Sequence, residues 1–174
     1  MTIDIIALDA QAVAARIDSL THILVDSVDQ GAAIGFLAPL GADDARRFWL
    51  EQVAPEIAAR RRRLFAAERG GELVGTVQLL TAMPANQPHR GEIAKMIVHP
   101  AARRSGIGRR LMHHALGHAR EIGKTLVTLD TRSGDVAQSL YASLGFQVAG
   151  VIPDYAWDAD GKARHATTYM FAAL

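Results

Sequence analysis

The sequence predicts an α/β domain of the α+β kind, with helices packed on a mixed central sheet. Three observations lead there. Strand-like apolar runs recur along the chain, amphipathic helical stretches separate several of them, and Gly70-Gly71 joins Leu64–Arg69 to Leu73–Leu80 as a hairpin. The 174 residues suit one domain, 1–174, with a sizeable core.

In order, Ile3–Leu8 reads as a first strand and Ala10–Val28 as a helical region. The stretch 31–41, rich in Gly, Ala and Pro, is a loop. Asp43 or Asp44 could cap the next helix, whose apolar side carries Phe48, Trp49, Val53 and Ile57. Arg60–Arg63 closes that helix, where cations complement the macrodipole, so a solvated helix end is expected rather than a nucleic-acid patch. After the hairpin, Pro84–Pro88 turns the chain into the strand Glu92–Val98. A glycine-bearing turn then opens a helix with Ile107, Leu111, Ala115, Ala119 and Ile122 at helical spacing. A strand Thr125–Thr131, a helix Asp135–Leu144 and two strands, Phe146–Ile152 and His165–Phe171, complete the sheet through the turn Asp158–Gly161.

Composition narrows the function. A net charge of +1 argues against a general polyanion binder, and the absence of cysteine excludes a disulfide framework and a thiol nucleophile. No apolar run is long enough to span a bilayer, and Met-Thr-Ile-Asp-Ile lacks a signal peptide's basic start. A cytoplasmic enzyme with no nucleic-acid or membrane partner is the expectation.

The most informative segment is Arg103-Arg104-Ser105-Gly106-Ile107-Gly108, between the apolar run ending in Val98-His99-Pro100 and the long helix. Strand, glycine turn and helix N-terminus form the geometry in which main-chain N–H groups converge on a phosphate. Gly106 and Gly108 carry no Cβ to hinder that approach. A dinucleotide fingerprint fails at Leu111, and a P-loop fails at Gly108-Arg109-Arg110. Val98–Leu111 does resemble the Arg/Gln-x-x-Gly-x-Gly/Ala signature of the GNAT N-acetyltransferases. Ala137-Gln-Ser-Leu-Tyr141-Ala-Ser-Leu-Gly145-Phe146 resembles that family's Ala-x-x-Leu-Tyr-x-x-x-Gly-Phe segment. The likeness extends through the C-terminal two thirds and is only an outline before that. It implies a single GNAT fold, with a mixed, mostly antiparallel sheet of about seven strands flanked by helices on both faces. It also implies an acceptor pocket built largely by the N-terminal helices.

The resemblance further implies acetyl-coenzyme A as cosubstrate, with no metal. Main-chain groups of Met96 and Val98 would pair with the pantetheine arm and polarise the thioester carbonyl. The turn of Arg103, Arg104, Ser105, Gly106, Ile107, Gly108 and Arg109 would hold the pyrophosphate, and Tyr141 would lie near the sulfur and protonate the departing thiolate. An attacking amine of pKa near 10 is only about one part in a thousand neutral at pH 7, a handicap of about 4 kcal/mol, so a base is needed. Glu92 opens the strand leading to Met96 and shares its side unless a bulge intervenes. Asp130 ends the neighbouring strand at the carboxyl edge, where ligands bind in such sheets. Either could take the proton, directly or through water. His99 and His118 read as structural, His89, His113 and His114 as solvent-facing, and His165 as a candidate lining the acceptor site.

Many GNATs carry an asparagine where this chain has Gly134, seven residues before Tyr141. Leu129–Gly134, Gly150–Ala156 and His165–Tyr169 resemble the subgroup containing the tabtoxin-resistance acetyltransferase, which implies a small, polar, amino-acid-like acceptor. The expected function is therefore N-acetyl transfer to a small primary amine within a ternary complex. The alternatives are a non-catalytic acyl-coenzyme A sensor, or an aminoglycoside or protein N-acetyltransferase. An exposed sheet end and the apolar C-terminal strand could pair two copies as a homodimer.

Overall fold

The computed structural model describes residues 2–174. Strand β1 (Ile3–Leu8) leads into helices α1 (Ala10–Ala15) and α2 (Ile17–Asp29), which part at Arg16. The loop 31–41 precedes α3 (Ala42–Arg47), a π-helical turn (Phe48–Val53) and α4 (Ala54–Ala58). Strands β2 (Arg62–Arg69), β3 (Glu72–Leu80) and β4 (Arg90–Val98) form an antiparallel meander. A 3-10 turn (Pro100–Ala102) and α5 (Ile107–Glu121) follow, then β5 (Leu126–Arg132), α6 (Val136–Ser143), β6 (Gln147–Trp157) and β7 (Arg164–Ala173).

The strands make one seven-stranded sheet in the order β1-β2-β3-β4-β5-β7-β6, mixed and mostly antiparallel as expected. Only β4 and β5 run parallel, and they pair along Arg90–Glu92 and Leu126–Thr128 alone. Alternation along the strands sorts their side chains into two cores. Phe65, Val77, Leu79, Ile93, Val127, Leu129 and Met170 pack under α5 and α6. Leu64, Ala66, Leu73 and Ile97 pack under α1–α4 with the fully buried Trp49. The Trp49 indole N–H donates to Leu20 O at 3.0 Å, so burying it leaves no donor unpaired.

Several local expectations are corrected. Gly41, not Asp43 or Asp44, caps α3; both aspartates sit in the first turn, where their charge meets the positive helix end. Arg60 and Arg61 follow α4, but Arg62 and Arg63 belong to β2, and Arg62 turns inward to bond Gln78. Ile122 keeps the α5 spacing yet lies past its last turn, 39% exposed. The C-terminal strand β7 is interior, between β5 and β6, so the sheet edge at that end is β6, whose Val148, Val151 and Trp157 are solvent-accessible.

Gly75 lies where β3 is crowded by both β4 and α5. A Cβ there would lie 2.9 Å from Ile97 O and 3.2 Å from the Ile107 and Leu111 side chains. Gly75→Ala is expected to cost about 1–3 kcal/mol through overpacking, read from urea unfolding followed by Trp49 fluorescence.

Candidate active site

The site is built where β4 and β5 part. Past Glu92 and Thr128 no pairing joins them, while β4 stays on β3 through Val98 and β5 stays on β7 through Arg132. One edge of β4 therefore faces an open wedge. His99 N–H donates to Val74 O at 2.9 Å. By alternation the main-chain groups of Ile97 point to β3, and those of Met96 and Val98 point into the wedge. Val98 O there accepts from Arg103 Nε at 3.2 Å.

A bulge interrupts β4. Three steps along it, from Ala94 to Ile97, oppose two on β3, from Gln78 to Thr76. Lys95 takes φ +48°, a left-handed conformation uncommon for a residue with a side chain. The extra residue reverses the alternation, so Glu92 and Met96 do not share a side, contrary to the regular-strand expectation. Glu92 lies on the face with Thr128, whereas the Met96 sulfur approaches α5, 3.5 Å from where a Gly108 Cβ would stand.

Glu92, Thr128, Asp130 and Tyr169 share one face by register. Arg90 Nη1 donates to Glu92 Oε2 at 3.1 Å and to Thr128 Oγ1 at 2.9 Å, which orients the carboxylate. The Tyr155 and Tyr169 hydroxyls hydrogen-bond at 2.8 Å. That bond, then burial and the charges of Tyr155, Asp130 and Glu92, push Tyr169 up to about 12. Tyr141 is buried on α6 beside Phe146. Burial first, and then the negative charges of Asp135 and Asp130, raise its pKa, so it keeps its proton across the neutral range. The charge of Asp130 on one face thus reaches Tyr141 in the core of the other.

The turn before α5 is concave. Arg104 at φ +61° and Gly106 at φ +79° are both left-handed, which gathers main-chain N–H groups at the helix N-terminus. A Cβ on Gly106 would meet no protein atom within 4 Å, so its role is conformational. Gly108 differs from expectation: a Cβ there would press within 3.2 Å of Leu140, so that glycine also serves helix packing. Ile107 is buried and offers only main chain, Ser105 Oγ–H donates to Ala102 O at 2.6 Å, and Arg109 Nη2 reaches Ser143 Oγ at 2.8 Å. The N–H of Gly134 is taken by Gln138 Oε1 at 2.7 Å, within the protein itself.

His99 Nε2 lies 3.0 Å from Asp26 Oδ2, with His22 stacked on the ring. These three side chains have metal-ligand spacing. Ala101 N–H donates to His99 Nδ1, which places the ring proton on Nε2, facing Asp26; a hydrogen-bonded pair accounts for the cluster. His165 shares the Tyr169 face by alternation on β7, and its Nδ1 bonds Ala166 O at 3.1 Å.

Arg90, Lys95 and Phe36 were not found by sequence reasoning. Lys95 is half-buried with Nζ 5.8 Å from the centre of the Phe36 ring. Burial lowers its pKa, Asp130 raises it and Arg62 lowers it again. The loop holding Phe36 arches over this face, because Ala38 N–H donates to Ala159 O in the β6–β7 turn at 2.7 Å. The only hint was a lysine inside the apolar run Ile93–Val98, which strand alternation would have sent to the α5 side.

The family model described as the acetyltransferase (GNAT) family matches residues 36–146. This chain belongs to the GNAT acetyltransferase family. Over 97 residues, 55% of the chain, it is 35% identical to the N-alpha-acetyltransferase RimI of Mycobacterium tuberculosis. Over 103 residues, 59% of the chain, it is 29% identical to the YqkA protein of Bacillus subtilis. The matched parts span 59% and 28% of those relatives' own lengths. The structure of yncA from Salmonella typhimurium, solved with its cofactor acetyl-CoA, superposes with a TM-score of 0.77 at 22% identity, covering 100% of this chain and 95% of that one. That likeness is one of fold. Among the described residues no helix is long and apolar enough to cross a membrane.

Tyr141 makes stability depend on alkali. Below its unfolded pKa of about 10, folded and unfolded states both hold the phenol proton, and above it the unfolded chain releases the proton first. Stability should therefore fall as pH rises through about 10, and Tyr141→Phe should flatten that fall, read as urea midpoints across the alkaline range.

Proposed function

We propose that this protein transfers the acetyl group of acetyl-coenzyme A to the primary amine of a small, polar, amino-acid-like acceptor. The observation that carries the reading is the wedge, where the free edge of β4 runs directly into the concave turn at α5. The site fits the cosubstrate: an extended amide-bearing arm can add to that edge, and a pyrophosphate can follow at the turn. When bound, acetyl-coenzyme A supplies an activated acyl carbon and a thiolate leaving group.

Met96 and Val98 offer main-chain donors and acceptors to the arm and to the thioester carbonyl oxygen, where charge develops. Arg103 releases Val98 O as the arm arrives. Arg103, Arg104, Ser105, Gly106, Ile107, Gly108 and Arg109 present their turn amides and the helix N-terminus to the pyrophosphate. Glu92, held by Arg90, and Asp130 accept the two protons that an ammonium acceptor gives up, one before its nitrogen attacks and one as that nitrogen bonds the acyl carbon. Tyr141 gives its proton to sulfur as the carbon–sulfur bond breaks; of the two protons taken by the carboxylates, one returns to the phenol through water and the other is released to solvent. The segments Leu129–Gly134, Gly150–Ala156 and His165–Tyr169 support the tabtoxin-resistance subgroup and hence the acceptor class. A peptide N-terminus is the second reading, favoured by the name of the mycobacterial relative.

The test is coenzyme A release across a panel of amino acids, aminoglycosides, polyamines and short peptides. A thiol reagent reads it cleanly because the chain contains no cysteine. Tyr141→Phe, Asp130→Asn and Glu92→Gln are each expected to lower kcat by about 10²–10⁴-fold for any group acting as acid or base, with acetyl-coenzyme A affinity retained. A sensor would show no turnover to lose. Gly106→Val, which forces a β-branched side chain into the left-handed region, should instead weaken acetyl-coenzyme A binding, measured by calorimetry.

A further inference from the structure

The face that holds Glu92 and Asp130 is dipolar. Asp130 on β5 and Glu92 at the start of β4, the latter paired with Arg90, supply its carboxylates, while Arg62 on β2 and Lys95, which lies beneath Phe36 past the β4 bulge, supply cations. Neither cation has a carboxylate in contact, although the charge of Asp130 reaches Lys95. None of the ion pairs among the described residues includes Lys95 or Arg62. Glu56, whose charge reaches Arg62, is gripped by Arg61 through hydrogen bonds of 3.0 and 2.5 Å. Arg62 donates instead to the neutral Gln78, and both Arg62 Nε and Gln78 Nε2 are buried with no acceptor.

Each of these features is unfavourable in the protein alone. Burial weakens the hydration of both cations and lowers the Lys95 pKa, Asp130 offsets that only in part while the like charge of Arg62 adds to it, and Lys95 holds a left-handed backbone besides. An anion seated between them would offset the first two. We propose that Lys95, backed by Arg62, receives the carboxylate of a zwitterionic α-amino-acid acceptor whose amine lies toward Glu92 and Asp130. This rests on the acetyltransferase reading and sharpens it: the acceptor must carry a free carboxylate beside the amine. Lys95 is then a specificity residue, since it meets a part of the acceptor that does not react.

The test compares an α-amino acid selected by the amine panel with its carboxamide, which keeps the amine and side chain but lacks the negative charge. Wild-type protein should favour the acid by about ten- to a hundredfold in kcat/KM, the range expected of one charge-assisted contact. Lys95→Met should bring that ratio near unity by raising KM for the acid far more than it lowers kcat, and Lys95→Arg should restore part of it. Thermal unfolding and acetyl-coenzyme A affinity of the variants check that the fold survives. Equal use of acid and amide by the wild type, which needs no variant, overturns the inference while the transferase reading stands. So does a Lys95→Met loss that falls on kcat for every amine, the signature of a base. Bound acetyl-coenzyme A with no transfer to any amine overturns the transferase reading and the inference with it.

Discussion

The early end of pairing between β4 and β5 is the constraint from which the rest of the site follows. Up to Glu92 and Thr128 the two strands share hydrogen bonds, and beyond them each is held only from its far side, by β3 or by β7. Main-chain donors and acceptors left open along a strand edge seek an extended partner, and inside a domain they are shielded from other chains. The separate cores beneath the two strands keep the wedge from closing. Ile97 anchors the end of β4 under the N-terminal helices, while Leu129 anchors β5 under α5 and α6.

The bulge at Lys95 performs the second division. One added residue sends Met96 toward α5, where it packs against Gly108, and turns the lysine to the opposite face beneath Phe36. A regular strand would have placed Lys95 with Ile93 in the apolar layer, where its ammonium could not stay hydrated. Bulges of this kind re-aim side chains beside functional sites, and the left-handed backbone at Lys95 is the local strain that accompanies it.

Charge on the open face is organised around Asp130. Its carboxylate is felt by Lys95, Tyr141 and Tyr169, which come from a strand, a helix and another strand. Arg90 holds Glu92 without reaching Asp130, so the two carboxylates differ in surroundings: one is oriented by a guanidinium, the other shares its face with Tyr169 and its charge reaches Lys95. Groups of like type in unlike settings can divide binding from proton transfer.

Element order, the Gly70-Gly71 hairpin, the α5 core stripe and the strand–turn–helix at Arg103–Gly108 were all legible in the sequence. Each depends on local rules: alternation along a strand, helical spacing, and the tolerance of glycine for left-handed backbone. Glu92 and Asp130 were legible as separate candidates, one from its strand start and one from its place at a strand's carboxyl edge, but their shared face is set by the register of β4, β5 and β7. The helix end at Arg60–Arg63 was misjudged because a run of arginines does not show that one of them turns inward to Gln78. Lys95 stayed hidden because a bulge is decided by the match between two strands, Thr76–Gln78 against Ala94–Ile97, and not by either strand alone. By itself, then, the sequence determined the elements, the turn and the candidate acids and bases. Only the tertiary structure decided which side chains meet across the wedge, since register, bulge and the reach of the 31–41 loop to Ala159 are set by packing between segments far apart in the chain.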